Sequence, residues 1–582
     1  MALDGLFLNR ILTELADDLD DAKINRVHQP DRHTVTLKLN SHRRGGCALL
    51  LSAHPQNARL HLTERSFDNP AQPPLFAMVL RKHIEGGRIT GVSQMGLDRV
   101  ADITVEARDD IGDIRSFHLI VEIMGKHSNI ILCDDTMTIL AAVKPYGNGV
   151  SRYRRVLPKE PYIAPPPTGK TNPLFLTEEE FGEVLLDGDL AVTLDKAMLR
   201  SLEGISPSTA AEIVYRSNIN ETLLLEEAGS YELRALYTQM KGIIEGDTAP
   251  TLCRKNGKTV DFYDQPLRRY ESERIAFADL SALLDSYFGA KERENVFASK
   301  KSSLLRVVTH HRDKTAKKAE KRRAELGRAI DGEKYRLYGE LLSANLYRVA
   351  DHAEDVTLEN FYADGEEITI PLKRELTAAE NAGHYFKRYN KAKQSRNAIR
   401  EHLAKNEEDL AYLETLCFET EEAADDSDLE EIRRELAQSG YLKERKGGKK
   451  RRGERPLPPI ETAYLGHTIR IGRNNRQNDR LTLNSAKKDD LWLHTKDIPG
   501  SHVIISRNGG EIPEEVIVRA AGYAAYHSKA RNAAKVPVDY TEVRHVKKPN
   551  GAKPGMVIYF EQTTIMAEPR KEPEEDGAAS ET

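Results

Sequence analysis

The stretch DDLWLHTKDIPGSHVII, residues 489–505, brings together side chains that could do chemistry. It carries Trp492, the only tryptophan of the chain, together with His494 and His502. The two histidines are eight positions apart with no further His or Cys cluster nearby, so their spacing does not predict a metal site. A hydrolase needs a nucleophile beside a base, but Ser501 and His502 are adjacent and would lie on opposite faces of a strand. The stretch therefore indicates hydrogen bonding rather than catalysis.

Hydrogen-bond donors and cations flank this stretch on both sides. IGRNNRQND (471–479) supplies forked polar side chains, and HVKKPNGAKPG (545–555) supplies lysines on a loop rich in Gly and Pro. We expect the Pro499-Gly500 turn to direct Ser501, His502 and their amides outward, and we expect Trp492 in the core. Donors, cations and an aromatic ring suit recognition of RNA by shape and backbone contact. The predicted RNA-contacting residues of this region are Arg473, Asn474, Trp492, His494, Ser501, His502, Lys547 and Lys548.

Length and composition exclude several classes of protein. The 582 residues are too many for one hydrophobic core and predict about three to five folded units. With 86 Lys and Arg against 91 Asp and Glu, the net charge of −5 excludes a uniformly basic coat but leaves room for local basic patches. The four cysteines are scattered, which predicts reduced thiols in a cytosolic protein. We find no pattern typical of a signal peptide or of a membrane span, and expect a cytoplasmic protein.

The first 165 residues predict a mixed α+β domain. Leu6, Ile11, Leu12 and Leu15 have the spacing of one face of a helix over residues 6–16. One further helix is predicted at LFAMVLRKHIEGG (75–87). Seven short strands surround it: RHTVTLKLN, CALLLSA, NARLHLT, RITGVSQ, RVADITVEA, SFHLIVEIM and SNIILCD.

A proline-rich segment, YIAPPPTGKTNP (162–173), follows this domain. Its Gly169-Lys170-Thr171 is similar to the end of a phosphate-binding loop. However, Ala164 stands where the first glycine of that loop is required, and the three prolines after it lack the amide donors of a phosphate cradle. We interpret the segment as a linker.

The next segment is predicted to be helical and contains LEGISPSTAAEIVYR (202–216). Gly204-Ile205-Ser206-Pro207 before an Ala-rich helix is similar to a helix-hairpin-helix, which offers backbone amides at a helix N-terminus to a phosphate. A plain helical turn with a proline at the helix start explains the same residues, so both interpretations stay open.

Residues 292–440 predict a long antiparallel helical arm. A 3-4 spacing of mostly apolar residues from Ala382 to Cys417, interrupted by Arg396 and Asn406, is typical of a coiled coil, and the preceding helix over about 297–349 is its expected partner. Between them, DVTLENFYADGEEITIPL predicts two strands around a turn at Asp364-Gly365. The first helix has an excess of basic residues, which is either a solvated face or a contact for a phosphate backbone. The candidate contacts are Lys317, Lys318, Lys321 and Arg322.

The remainder of the chain predicts a basic linker, a last α+β domain and a tail. KERKGGKKRRGERP (443–456) lacks apolar residues, as is typical of a flexible tether or of a segment that lies along RNA. YLGHTIRIG, DLWLHT, SHVIIS and GMVIYF predict strands, and EEVIVRAAGYAAYHSKAR predicts one helix that begins after Pro513 and ends in Lys529 and Arg531. After residue 568 the composition is typical of a disordered tail.

Asp98 and Arg99 in MGLDRV (95–100) stand at the entry to a strand. A neighbouring Asp and Arg are either a surface ion pair or a polar reader, in which the arginine forks to a base or phosphate and the aspartate accepts from an exocyclic amine. Spacing alone leaves both interpretations open.

Seven segments in one order resemble the NFACT family: ALDGLF, LRKHIEGGRI, GLDRV, EIMGKHSNIIL, ENAGHYFKRYNKAK, LWLHTKDIPGSHVII and KPGMVIYF. The resemblance covers nearly the whole chain and favours the bacterial branch. It implies a multidomain α+β protein with a glycosylase-like NFACT-N domain (1–170), a helix-hairpin-helix domain (171–290), a coiled-coil domain (291–440), a basic linker (441–457), an RNA-binding NFACT-R domain (458–568) and a disordered tail (569–582).

The resemblance also implies a function. Family members act in ribosome quality control: they bind a large (50S) ribosomal subunit that holds an obstructed peptidyl-tRNA, recruit tRNA, and promote mRNA-independent addition of a C-terminal tail, mainly alanine in bacteria. The implied partners of this chain are therefore the large subunit with its rRNA, alanine-specific tRNA and the obstructed nascent chain, with the protein a monomer on the ribosome. No catalytic residue, metal or cofactor is implied, because the ribosome makes the peptide bond.

The tRNA-binding residues implied by the resemblance are Asp4, Asp98, Arg99, Glu122, Lys126, His127 and Asn129. Two functions of other classes remain as alternatives. One is a surface adhesin that binds fibronectin, which the lack of a signal peptide disfavours. The other is a DNA-glycosylase-like repair protein, which the start Met1-Ala2-Leu3 disfavours because such enzymes begin with Pro and Glu.

Overall fold

The computed structural model describes residues 3–109, 111–147, 149, 151–255, 258–270, 273–350, 352–363, 366–443 and 458–573. The chain divides into two compact units, Met1–Glu294 and Asn295–Thr582. Both contain helices and antiparallel sheets, which confirms the predicted multidomain α+β class. The finer division into NFACT domains stays a prediction.

The first unit begins with a helix and an antiparallel nine-stranded sheet, in the order β4-β3-β2-β1-β5-β6-β7-β8-β9. Its elements are α1 (Gly5–Leu19), β1 (Lys23–His28), β2 (Thr34–Ser41), β3 (Gly45–Ser52), β4 (Arg59–Leu62), α2 (Leu75–Ile84), β5 (Arg88–Gln94), β6 (Val100–Arg108), β7 (Ile114–Glu122), β8 (Asn129–Asp134) and β9 (Ile139–Ala142).

The predicted elements of this region are confirmed, and two strands were missed. The apolar face of α1 is buried, and α2 and the seven predicted strands form. Strand β1 escaped prediction because a bulge between Ile24 and Arg26 shifts its register, so its buried residues Ile24 and Val27 do not alternate. Strand β9 has only four residues, too few for a clear periodic pattern.

The rest of the first unit combines helices with a small sheet. Its elements are α3 (Glu178–Leu186), α4 (Leu194–Ser201), α5 (Pro207–Arg216), α6 (Ser230–Glu245), β10 (Thr251–Lys255), β11 (Lys258–Tyr263) and β12 (Glu273–Ala276). The prediction of a purely helical segment is therefore wrong, because β10–β12 form an antiparallel sheet. No helix begins directly after Thr171 (α3 starts at Glu178), which agrees with a linker and not a phosphate-binding loop. One hydrophobic core extends from α1 and the sheet strands to α3–α6 and β10–β11.

The arm is built from α7 (Leu280–Ile330), α8 (Glu333–Ala344) and α9 (Ala378–Glu422), with β13 (Asp355–Glu359) paired to β14 (Glu367–Pro371) between α8 and α9. In the second unit, Lys301 Nζ donates to Ala423 O (3.0 Å), and Arg323 on α7 pairs with Glu407 on α9 (2.7 Å), so the helices run antiparallel as predicted. Every residue of the predicted α9 seam is buried or half-buried.

The first half of the arm contains two helices where the sequence predicted one. The single helix predicted over 297–349 is wrong, because a turn at Asp331 and Gly332 separates α7 from α8. Glycine weakens a helix through the entropy of its backbone, which favours a break there. The turn predicted at Asp364-Gly365 lies outside the described residues.

The second unit ends in a six-stranded antiparallel sheet ordered β15-β16-β18-β17-β19-β22. Its elements, after helix α10 (Asp426–Gln438), are β15 (Ile460–Tyr464), β16 (His467–Ile471), α11 (Asn475–Asp479), β17 (Leu491–Thr495), β18 (Val503–Ile505), α12 (Glu514–Tyr526), β19 (Val536–Glu542), β20 (Val546–Lys547), β21 (Ile558–Tyr559) and β22 (Thr563–Ala567). Apolar residues of α12 pack on one face of this sheet.

Three predictions for this sheet region need correction. The strand predicted at YLGHTIRIG is a hairpin, because Leu465 and Gly466 both have positive φ and turn the chain between β15 and β16. Only Ile558 and Tyr559 of the predicted strand GMVIYF lie in a strand. Helix α12 ends at Tyr526, so Lys529 and Arg531 do not lie in its last turn; Ser528 instead bridges to Gly500.

Within the described residues, no helix combines the length and the apolar character needed to cross a membrane.

Candidate nucleic-acid interface

Asp4 joins the N-termini of two helices. It caps α1 by accepting a hydrogen bond from Phe7 N (2.9 Å), and its other carboxylate oxygen accepts from Ser206 N (3.1 Å) and Thr209 Oγ1 (2.5 Å) at the start of α5. A carboxylate at a helix N-terminus is stabilised by the free amides and by the helix dipole. The side chain is buried, and burial raises the pKa of Asp4 above its ordinary value despite these hydrogen bonds.

The hairpin before α5 packs tightly against the start of α1. Leu6 N donates to Gly204 O (3.1 Å), and Gly204 has a φ of +75°, a conformation that favours glycine. The N-terminus of α5 is capped by the Ser206 side chain, with Pro207 in the first turn. Ser206 N donates to Asp4, so this amide already has a partner in the structure, and the helix-hairpin-helix interpretation stays open.

Asp98 and Arg99 lie in the turn between β5 and β6. Asp98 Oδ1 accepts from Arg99 N (2.8 Å), and Gln94 Nε2 donates both to Asp98 O and to Gly5 O, which ties this turn to α1. Both side chains are half-buried, and no ion pair joins them. Within the described residues the Arg99 guanidinium has no hydrogen-bond or ion-pair partner, so it is available to a ligand.

A pocket of about 200 Å³ collects these groups. Asp4, Asp98 and Arg99 line it together with the hairpin residues Gly204 to Pro207. Sequence reasoning missed two charged residues of its wall, Lys170 and Glu203. Lys170 belongs to the GKT sequence that was interpreted as a linker, and its Nζ donates to Leu199 O (2.6 Å) at the end of α4. Only the fold brings Lys170 and Glu203 to Arg99, so no local signal could have found them.

The turn between β7 and β8 lies beside this pocket, because Ile123 N donates to Arg99 O (2.8 Å). Lys126 and His127 are exposed in this turn. Glu122 and Asn129, which face each other across β7 and β8, are buried instead.

Glu122 and Asn129 hold the turn in place. The Glu122 carboxylate accepts two hydrogen bonds from Arg154 (2.6 and 2.7 Å) and one from Tyr162 Oη (3.0 Å). Asn129 Oδ1 accepts from Ile130 N (3.0 Å) and Lys144 N (2.9 Å). Removing one partner of a buried, bidentate ion pair lowers the stability of a protein by several kcal/mol. In this structure Glu122 and Asn129 therefore position the turn and do not reach outward.

A second buried carboxyl group lies below Asp4. Thr209 Oγ1 connects Asp4 to Tyr263 Oη (3.1 Å), and Asp264 pairs with Arg10 (3.4 Å). Burial raises the pKa of Asp264 to about 7; Arg10 opposes the rise, and the charge of Asp4 adds to it. This network joins α1, α5 and the end of β11 beneath the pocket floor.

The basic run of the arm faces solvent in part. Lys317, Lys318 and Lys321 are exposed on α7, whereas Arg322 pairs with Glu325 one turn later (2.6 Å). As far as the described residues extend, the structure thus presents three exposed lysines that form no ion pair on one part of the arm.

The stretch that contains Trp492 lies mainly in the interior. Trp492 is fully buried, as expected, and its ring contacts those of His494, His502 and Tyr559 at centroid distances of 4.8–5.7 Å. Burial lowers the pKa of both His494 and His502, so both are neutral near pH 7. The expectation that Ser501, His502 and their amides point outward is wrong: Ser501 N donates to His527 O (3.0 Å) and His502 N to Asn478 Oδ1 (3.1 Å), and both side chains are buried.

Of the other predicted contacts in this domain, Lys547 is exposed and Arg473 is half-buried. Asn474 is buried, because it caps α11 and donates to Glu431 (2.7 Å) on α10. Lys548 forms an ion pair with Asp479.

Across the described part of the chain, no group of three or more His, Cys, Asp or Glu side chains has the geometry to hold a metal ion. The arrangement supplies hydrogen-bond donors, acceptors and cations around a small pocket and along exposed turns. Such groups can bind and orient a polyanion with unstacked bases.

Comparison with known proteins gives consistent matches. The chain is 40% identical over 574 residues to the Rqc2 homolog RqcH of Bacillus subtilis (strain 168), covering 98% of each protein. It is 31% identical over 133 residues to the human ribosome quality control complex subunit NEMF, covering 23% of this chain and 11% of that protein. A solved structure of the N-terminal part of the fibronectin/fibrinogen-binding protein from Streptococcus suis covers 50% of this chain and 99% of its own, at 32% identity and a TM-score of 0.43.

Two family models account for most of the sequence. The model for NFACT N-terminal and middle domains matches residues 4–455, and the model for the NFACT protein RNA binding domain matches residues 462–559. These matches span the pocket, the arm and the sheet of the second unit, and the chain belongs to the NFACT family.

Proposed function

We propose that this protein is a ribosome quality-control factor that binds RNA and makes no covalent bond itself. In this proposal it associates in the cytoplasm, as a monomer, with large ribosomal subunits that hold an obstructed peptidyl-tRNA. There it recruits tRNA, in particular alanine tRNA, and promotes mRNA-independent alanine tailing of the nascent chain. Membership of the NFACT family and the names of its relatives support the ribosome quality-control role.

The observation that carries the proposal is the pocket at Asp98 and Arg99. Among the described residues it holds a guanidinium that forms no ion pair, together with a carboxylate, beside exposed Lys126 and His127, and its unit has an extensive hydrophobic core. An arginine and an aspartate at one opening can donate to and accept from the edge of an unstacked base. Buried groups of the same site, Asp4, Glu122 and Asn129, would position these residues and not contact the tRNA themselves.

The rest of the molecule would contact the RNA backbone. Exposed Lys317, Lys318, Lys321 and Lys547 suit phosphate contacts, as does half-buried Arg473, and Arg322 and Lys548 become available if their present partners are exchanged. Trp492, His494, Ser501, His502 and Asn474 would support that surface from the interior. The protein would promote tailing by raising the effective concentration of charged tRNA beside the trapped nascent chain, so that the two need not meet by diffusion.

The domain boundaries implied by the family form part of the proposal. They are a glycosylase-like NFACT-N domain (1–170), a helix-hairpin-helix domain (171–290), a coiled-coil domain (291–440), a basic linker (441–457), an NFACT-R domain (458–568) and a disordered tail (569–582). Residues 444–457 of the linker and 574–582 of the tail lie outside the described part of the chain.

The test replaces Asp98 and Arg99 together by alanine in the full-length protein. We expect the double variant to sediment with large subunits as the unchanged protein does, but to recover at least about tenfold less tRNA, since two direct contacts of about 1 kcal/mol or more are lost. Arg115→Ala, an exposed arginine at the other end of β7, is the matched control. Undiminished tRNA recovery with the double variant would contradict the site assignment, and failure of the unchanged protein to bind subunits would contradict the function.

A further inference from the structure

Three segments of the first unit meet beside the β7–β8 turn. Ala53 N donates to His33 O (2.8 Å), which joins the segment before β2 to the segment after β3. Lys144, just after β9, donates through Nζ to Ala53 O (2.6 Å) and through its amide to Asn129 Oδ1 (2.9 Å). Distant parts of the sequence therefore form one continuous surface.

The β7–β8 turn itself touches this surface. A Cβ built on Gly125 would lie 3.7 Å from Pro55 O, within ordinary van der Waals distance. The rings of His33 and His54 are in edge-to-face contact, with centroids 5.7 Å apart. We call the six cationic or imidazole side chains on these segments the loop strip: Arg32, His33, His54, Lys126, His127 and Lys144.

The segments of the loop strip carry three cations, Arg32, Lys126 and Lys144, against one carboxylate, Asp31. Asp31 is the only acidic residue in segments 29–33, 53–58, 123–128 and 143–144, and its Oδ1 accepts from His33 N (2.7 Å) and Thr34 N (3.0 Å) within its own turn. Arg32, Lys126 and His127 are exposed, and the others are half-buried. A fold that holds like charges together gains energy when an anion lies over them.

The electrostatic effects within the loop strip support this view. Burial lowers the pKa of His33, the charges of Lys144 and Arg32 lower it further, and the charge of Asp31 opposes this shift. Burial and then Arg32 lower the pKa of Lys144. Arg32 Nε donates to His33 Nε2 (3.0 Å), so that nitrogen carries no proton and His33 is neutral. The cations thus repel one another across loops that are far apart in sequence.

The loop strip continues from the pocket, because Ile123 N at the start of the β7–β8 turn donates to Arg99 O. Cationic side chains that are spread over several turns suit a chain of regularly spaced phosphates better than a single small anion. The chemistry therefore favours a nucleic-acid backbone that reaches the Asp98–Arg99 pocket at one end.

We propose that the loop strip binds the phosphate backbone of the RNA whose unstacked part enters the pocket at Asp98 and Arg99. This inference rests on the proposed function, in that both surfaces serve the same RNA. Arg32 and Lys126 supply the exposed charges, and Lys144 fixes the distance between the loops.

The test measures the affinity of the full-length protein for deacylated bulk tRNA over a salt titration. The variant carries Arg32→Glu and Lys126→Glu, and the control carries Lys23→Glu and Lys38→Glu, two exposed lysines on β1 and β2 outside the loop strip. We expect the variant to lose at least about tenfold in affinity at low salt, and its slope of log affinity against log salt to fall by about 1.5–2, because two phosphate contacts are lost. We expect the control to stay within about twofold of the unchanged protein.

Three results would separate the possibilities. If the salt slope of the variant is unchanged while the Asp98→Ala/Arg99→Ala protein loses affinity, the loop strip does not bind RNA and the proposed function still holds. No loss with either variant contradicts the proposed function itself. If poly-L-glutamate, and not tRNA, loses affinity for the variant, the surface binds an acidic polypeptide and the proposal is wrong. The milder Arg32→Gln/Lys126→Gln protein, with an unchanged Tm, checks that the losses do not come from unfolding.

Discussion

At the residue scale, the side chains of the candidate site divide into exposed ones and buried ones that fix the turns carrying them. Arg99, Lys126 and His127 offer free donors, while Asp4, Glu122 and Asn129 use nearly all of their hydrogen-bonding capacity inside the protein. Buried polar groups that are fully hydrogen-bonded favour one defined conformation of the turns they support. A substitution at Asp4 would therefore act on the geometry of the pocket before it acts on any contact with RNA.

The buried carboxyl group of Asp264, close to Asp4, makes the stability of the fold depend on pH. Because the pKa of Asp264 is raised to about 7 in the folded protein, the folded state binds a proton that the unfolded state releases near its ordinary value of 3.8. The group therefore destabilises the fold progressively as the pH rises from about 4 to 7. We therefore compare the unfolding free energy of Asp264→Asn with that of the unchanged protein at two pH values. We expect this difference to favour the variant by on the order of 2 kcal/mol more at pH 8 than at pH 5.

Urea unfolding at both pH values measures this difference. Asp279→Asn, which alters a carboxylate at the start of α7 away from Asp4, serves as the control. A pH-independent difference between Asp264→Asn and the unchanged protein would show that Asp264 is ionised in the folded state throughout this range.

The sequence predicts part of this site. Asp98 and Arg99 are neighbours in the chain, and Lys126 lies between the predicted strands SFHLIVEIM and SNIILCD, so the local pattern accounts for the proximity of the first two and for the loop position of the third. The burial of Glu122 does not, because its partner Arg154 lies 32 positions away and only the folded chain brings the two together. For the same reason Lys170 and Glu203 could not be assigned to the pocket from spacing.

At the scale of elements, the pocket depends on close contact between α1, the β5–β6 turn and the hairpin before α5. A Cβ on Gly5 would lie 1.8 Å from Leu97 O and 2.6 Å from Gly204 Cα, so only glycine fits between these backbones. The contact fixes the distance between the Asp98–Arg99 turn and the N-terminus of α5.

We expect Gly5→Ala to destabilise the protein by about 2 kcal/mol or more, because the added methyl group overpacks against backbone atoms that cannot move independently. The same change at Gly242, an exposed helical glycine of α6 whose Cβ would meet nothing within 4 Å, should be neutral or stabilise by about 0.5–1 kcal/mol. Thermal unfolding of both proteins measures the contrast, and equal Tm values for the two would contradict the packing described here.

Periodicity predicts the long elements well and the short ones poorly. The α9 seam from Ala382 to Cys417 repeats over many turns, so a few interruptions such as Arg396 do not hide it. Strands β10–β12 and the end of α12 at Tyr526 depend instead on pairing with distant segments, such as the bridge between Ser528 and Gly500, which overrides local preference.

At the scale of the whole molecule, a net charge of −5 coexists with basic side chains in each unit that form no ion pair among the described residues. These are Arg99 and the loop strip in the first unit, and Lys317, Lys318, Lys321 and Lys547 in the second. An acidic surround discourages nonspecific binding of nucleic acid, whereas local basic rows steer RNA to defined places. Such a charge distribution suits a protein that holds one RNA in a fixed position better than one that coats any RNA.

The most direct test of this role is a reconstituted tailing reaction. Purified protein, alanyl-tRNA and a labelled obstructed peptidyl-tRNA are combined with and without large ribosomal subunits, and the length of the labelled peptide is measured. We expect the peptide to lengthen only when protein and subunits are both present, because in the proposed function the protein positions tRNA and the ribosome forms the bond. Lengthening in the complete absence of ribosomal particles would contradict a purely positioning role, as would an unchanged rate with subunits when the protein is omitted.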